Sequence, residues 1–222
     1  MRSLFRALVA VCLVAVCLGA GAAHAEIYPS RQITIVVPFA AGSGTDSIAR
    51  IIGQQLSVAL KQSVVIENKV GASGVLAATT VARSTPDGYT LLMATNSTHS
   101  ANPFLFKSLS YDPVKDFAPV ARAGSYVFML VVNKDLPVTT LPELVAYAKA
   151  NPAKLTYASG NTTGIVAGET LKSRAGIDVL QVPYKSTPPA LNDVIGGRVS
   201  MMFIDLAPGL EHVRAGTLPR SR

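Results

Sequence analysis

The 222-residue chain has only two cysteines, Cys12 and Cys17, and both lie in its first 25 residues. That stretch has a short basic start (Arg2, Arg6), an apolar run from Leu8 to Leu18 and a small-residue end at Ala23-His24-Ala25. This order is that of a secretory signal peptide, with cleavage expected after Ala25. The apolar run is shorter than the roughly 20 residues needed to span a bilayer. Val16, a bulky residue before Cys17, speaks against a lipoprotein site. The exported chain would then hold no cysteine, which excludes a disulfide framework, a thiolate nucleophile and a thiolate metal site. Charge is also scarce, at 15% of residues, while 49% are hydrophobic, so a packed core is expected rather than disorder. Loss of the leader takes two arginines, leaving 18 basic residues against 13 acidic ones, and the formal charge falls from +7 to +5. The positive charges form no cluster and no stripe with aromatics, so no nucleic-acid partner is expected. No internal repeat or low-complexity tract interrupts the chain.

What is present is an alternation of short β-branched runs and helical patterns. Ile33–Pro38 reads as a buried strand, and Ile48, Ile51, Ile52, Leu56 and Leu60 give a helical spacing after it. Val64–Asn68 is a second strand, Val75–Ala82 a second helix, and Pro86-Asp-Gly88 a turn into a third strand over Tyr89–Ala94. After a less regular stretch the alternation restarts, with strands at Ser125–Asn133, Thr156–Ala158, Val179–Pro183 and Ser200–Ile204. Helices are expected from Thr140 to about Ala150, with a capping box at Thr140 and Glu143, and over Ile165–Ala175. Another is capped by Thr187 and runs to Ile195. Leu210 opens a last helix, after which the chain stops without a visible cap. Such βαβ units imply parallel-rich sheets covered by helices, in two halves joined near Ala121 to Ser125.

Four small, polar loops follow strand ends, the first three of them containing glycine: Ala40–Asp46, Gly71–Gly74, Ser159–Gly164 and Lys185–Thr187. Open α/β sheets place ligands there, and unpaired amides at a helix start suit a small anion. Gly42-Ser-Gly-Thr-Asp-Ser47 nearly matches the dinucleotide fingerprint, with Glu67 in the place of the ribose-binding acid. Ser47 replaces its third glycine, however, and Asp46 sets a negative charge where a pyrophosphate would lie, so no nicotinamide cofactor is expected. His99 and His212 lack metal spacing, and no G-x-S-x-G elbow is present. No catalytic residue, metal or cofactor is therefore assigned. An exported α/β enzyme using His99 or Asp205 on a small anion is the alternative, and a non-functional truncated fragment is another. Asp205 directly follows a strand and can face the crevice; Asp46 serves equally as a ligand contact or a cap.

Val36-Val-Pro-Phe-Ala-Ala-Gly-Ser-Gly-Thr-Asp46, Glu67-Asn-Lys-Val-Gly-Ala-Ser-Gly74 and Ser84-Thr-Pro-Asp-Gly-Tyr-Thr-Leu91 resemble signatures of the Bug (TctC-like) family. These are periplasmic solute-binding proteins of tripartite tricarboxylate transporters. Tyr157-Ala-Ser-Gly160, Ala167-Gly-Glu169, Val182-Pro-Tyr-Lys185 and Gly196-Gly-Arg-Val-Ser-Met-Met-Phe203 extend the match. The resemblance implies a two-domain, Venus-flytrap (type II) periplasmic-binding-protein fold. Residues 1–25 would be the leader, 26–121 the first domain and 122–222 the second. It also implies a carboxylate-bearing solute held without catalysis, by a monomer in the periplasm, for delivery to membrane transporter subunits or to a sensor kinase. The expected ligand contacts are Phe39, Ala40, Gly42, Ser43, Gly44, Thr45 and Asp46 in the first loop. To these are added Gly71, Ala72, Ser73 and Gly74, then Asn96, and across the cleft Ser159, Gly160, Asn161, Thr162, Thr163, Lys185 and Asp205. Many members carry Gly-Gly or Gly-Pro at Ser43-Gly44 and a histidine near Val166. Members also continue beyond the point where this chain stops, so the resemblance implies a truncated chain whose first domain is incomplete and exposes apolar surface.

Overall fold

A computed structural model describes residues 27–125 and 127–219. The expected leader, with Cys12 and Cys17, lies outside the described residues. Residues 27–30 are irregular. From Arg31 onward the described chain forms one compact unit containing two sheets.

The first sheet has three strands in the order β2-β1-β3. The β-branched run Ile33–Val37 is β1, its central strand, and it pairs in parallel with β2 (Val64–Asn68), Ile33 opposite Val64. On its other edge it pairs in parallel with β3 (Thr90–Leu92), Thr34 opposite Thr90. Because β1 is covered on both faces, four of its five residues are buried, as a continuous apolar strand requires. Between β1 and β2 runs α1 (Gly44–Leu60), and between β2 and β3 runs α2 (Val75–Ala82). Under α1, Ile35, Val37 and Ala49 pack with Leu56, Val64, Ile66, Leu91 and Met93. Ile51, Val58 and Leu76 lie exposed on α1 and α2. The less regular stretch that follows holds a π-helical turn, Ser97–Ala101, running into the short α3 (Asn102–Leu105).

The second sheet has the order β4-β7-β5-β6. Its strands are β4 (Phe128–Val132), β5 (Thr156–Ser159), β6 (Leu180–Pro183) and β7 (Met201–Asp205). β5 pairs in parallel with both β6 and β7, whereas β4 runs antiparallel to β7, Phe128 opposite Asp205. The helices are α4 (Leu141–Ala150), α5 (Thr162–Ala175), α6 (Thr187–Ile195) and α7 (Leu206–Arg214). They cover the two faces, one around Leu144, Leu155, Tyr157 and Met201, the other around Leu191, Val194, Met202 and Ile204.

Three expectations need correction. The helix after β5 begins at Thr162 rather than Ile165, because Asn161 caps it by accepting the Gly164 amide at 2.8 Å. Ser186, not Thr187, holds the cap position of α6, and its hydroxyl is turned to another element. The last helix begins at Leu206 and is capped. Gly216 takes a left-handed φ of 72°, its amide reaches Val213 O, and the Thr217 amide reaches His212 O. That pair of bonds is a Schellman end, and it folds Leu218 back into the core at 2% exposure. The capping box at Thr140 forms in a shifted version: Thr140 Oγ1 accepts the Glu143 amide, while Glu143 Oε2 accepts the Thr139 amide at 2.7 Å.

Candidate ligand site

The loop between β1 and α1 is built around two side chains, Ser43 and Asp46. Ser43 caps α1 by accepting the Asp46 amide at 3.3 Å. The Asp46 carboxylate, 2% exposed, reaches back to the Gly42 amide at 3.0 Å, a reciprocal capping arrangement. It also accepts Arg50 Nε at 2.9 Å and Asn68 Nδ2 at 2.9 Å. Burial pushes the Asp46 carboxyl up, but the bonds from Arg50, Asn68 and Gly42 outweigh it and hold the pKa below its ordinary value. Asn68 Nδ2 additionally donates to Phe39 O at 2.8 Å, so the end of β2 braces the loop.

The Gly71–Gly74 loop is left-handed throughout its middle. Ala72 and Ser73 have φ of 44° and 52°, and Gly74 has φ of 89°. Non-glycine residues rarely adopt this region, and each costs on the order of 1–3 kcal/mol that the surroundings must offset. The bracing is visible. Asn102 Nδ2 donates to Ser73 O at 3.1 Å, and a Cβ on Gly74 would meet Thr98 Cγ2 at 2.8 Å and Pro38 Cβ at 2.9 Å. Tyr111 then ties the π-helical turn down, its hydroxyl donating to Thr98 O at 2.6 Å.

On the second sheet, Ser159–Asn161 lead from β5 into α5. Gln181 Nε2 donates to Ser159 Oγ at 2.7 Å. Gly160 sits so close to the start of α6 that a Cβ there would lie 2.5 Å from the Ser186 carbonyl carbon. Thr162 is buried and its hydroxyl has no hydrogen-bond partner. Lys185 is exposed.

Hydrogen bonds join the two sets of loops. The Ala40 amide donates to Ser186 Oγ at 3.0 Å, the Gly44 amide to Asp205 Oδ2 at 3.1 Å, and Asn96 Nδ2 to Thr163 Oγ1 at 2.6 Å. The first loop is thereby tied to Ser186 and Asp205, and Asn96 to the third loop, while the second loop is held from its own side by Asn102. Burial pushes the Asp205 carboxyl up, partly offset by the Gly44 amide. The supporting residues Asn68, Asn102, Tyr111, Gln181 and Ser186 were not singled out as such by the sequence. The only signal for Asn68 was a polar residue closing a strand, and Ser186 was masked by the neighbouring Thr187.

His99 lies within the π-helical turn, half-buried against Phe117 at 4.9 Å between ring centroids, with Nδ1 2.9 Å from Thr98 Oγ1. Burial holds its pKa below the ordinary value, favouring the neutral ring. Among the described residues, no group of three or more His, Cys, Asp or Glu is placed to hold a metal ion, and no helix is long and apolar enough to cross a membrane.

The sequence matches the tripartite tricarboxylate transporter family receptor, TctC, over residues 48–220. A UPF0065 protein of Bordetella bronchiseptica is 36% identical over 205 residues, 92% of this chain and 61% of that protein. BugT of Bordetella pertussis is 36% identical over 87% of this chain and 60% of its own length. This chain thus spans about three-fifths of the length of these curated relatives. Among solved structures, an R. palustris protein with adipate superposes with a TM-score of 0.82 at 38% identity, covering 86% of this chain and 64% of that one. MatC from Rhodopseudomonas palustris, with bound malate, gives 0.81 at 35% identity over 86% and 66%. The periplasmic binding protein BugD gives 0.77 at 33% identity over 86% and 64%. The α/β architecture with parallel-rich sheets is that of these periplasmic binding proteins. With the family match running over most of its length, this chain belongs to the tripartite tricarboxylate transporter receptor (TctC) family.

Proposed function

We propose that this protein binds a small carboxylate solute in the periplasm, as a monomer and without catalysis. The solute is held between Phe39–Asp46 and Gly71–Gly74 on one side and Ser159–Thr163 with Asp205 on the other, with Asn96 and Lys185 at the margin. The two sides correspond to domains divided near Ala121. The observation that carries this reading is the Gly44–Asp205 bond, in which the first turn of α1 already receives a carboxylate. A helix start carries a partial positive charge that favours such a group. Relatives solved with adipate and malate support the same ligand class. After binding, the solute passes to membrane subunits of a tripartite transporter, or its presence is read by a sensor kinase.

Isothermal titration of the purified protein against dicarboxylates, tricarboxylates and aromatic acids tests the proposal. Saturable heat with at least one acid is the expected result. Absence of heat and of any thermal shift across the panel contradicts it.

A further inference from the structure

Asp205 ends β7 in the position that would cap α7, yet its side chain makes no bond to that helix. It turns instead to α1, where Oδ2 accepts the Gly44 amide. The approach is close enough to require glycine: a Cβ on Gly44 would lie 2.9 Å from Asp205 Cβ, Cγ and Oδ2. The second oxygen, Oδ1, is buried and has no hydrogen-bond partner, in a residue 3% exposed. A carboxylate oxygen shut away from water without a donor carries its full desolvation cost. The surrounding elements do not relieve it. On α1 the charged groups of the first two turns, Asp46 and Arg50, are bonded to each other, and β4 carries no charged residue. What the arrangement lacks is a hydrogen-bond donor.

Resting on the carboxylate-binding reading above, we infer that Asp205 Oδ1 accepts a hydrogen bond from the ligand, so the site selects carboxylic acids bearing a hydroxyl or ammonium group. A ligand presenting a bare carboxylate at this point sets two anions side by side, which is unfavourable. A hydroxyl or ammonium group supplies the missing donor, and loss of that donor leaves the buried oxygen unpaired again. Sites of this kind discriminate strongly against an analogue that lacks the donor.

The test is titration of the full chain with two matched pairs, malate against succinate and citrate against tricarballylate, whose members differ by one hydroxyl. The hydroxylated member is expected to bind about tenfold or more tightly, the worth of a hydrogen bond to a charged group. In Asp205→Ala the preference is expected to collapse. Equal affinities within each pair in the unaltered protein overturn the inference while leaving carboxylate binding intact, and that comparison stands even if the variant does not fold. A preference that survives Asp205→Ala overturns it as well. No heat with any of the four acids, while other acids on the wider panel bind, also overturns it; no heat with any acid overturns the carboxylate reading itself.

Discussion

Two carboxylates at the start of α1 have opposite effects. Asp46 is fully bonded and its pKa lies below the ordinary 3.8, so the ionised form stabilises the fold. That contribution is present above pH 3.8 and is lost as the pH falls through the lowered value. Replacing Asp46 with Asn removes its charge-assisted bonds and is expected to cost about 1.5–3 kcal/mol at pH 7, read from urea unfolding. Asp205 has a raised pKa, so its ionised form destabilises the fold above that value, and the cost disappears as the pH falls towards 3.8. Asp205→Asn is therefore expected to raise the melting temperature at pH 7 and to have little effect near pH 4. An effect of equal size at both pH values contradicts the assignment. Both acids were visible in the sequence as crevice candidates. Their difference was not, because it depends on Arg50, Asn68 and the isolation of Oδ1, which only the folded chain brings about.

At the scale of elements, the strands and helices of both sheets were legible because hydrophobic period and turn residues agree along most of the chain. The boundaries that shifted are those set by side-chain caps. Asn161 draws the start of α5 three residues earlier, and Gly216 with Thr217 closes α7 where the sequence offered no recognised stop. The antiparallel direction of β4 was also hidden, since a strand's direction is fixed by its connection rather than by its residues. Two substitutions test the local account. Ser43→Ala removes the cap of α1 and is expected to cost about 1 kcal/mol of unfolding free energy. Gly160→Ala drives a methyl group into the backbone of Ser186, which has little freedom to move, and is expected to cost about 1–3 kcal/mol. Equilibrium denaturation measures both, and an unchanged midpoint for Gly160→Ala contradicts the close approach.

For the whole molecule, the family resemblance was legible because its motifs are loops of small residues in fixed order, and these are also the segments that meet. What the sequence left hidden is how they meet. Ala40–Ser186, Gly44–Asp205 and Asn96–Thr163 span 146, 161 and 67 positions, and no local pattern encodes such pairs. The packing is uneven as well, with a small cluster under α1 and larger clusters on both faces of the second sheet. A ligand bridging the two sets of loops would therefore add contacts where the protein's own are few. Amide chemical shifts of isotope-labelled protein, followed while malate is titrated in, test this most directly. Ala40, Gly44 and Gly71–Gly74 are expected to shift together with Asn161–Gly164, along one saturating curve. Shifts confined to one set of loops, or none at either set, would contradict it.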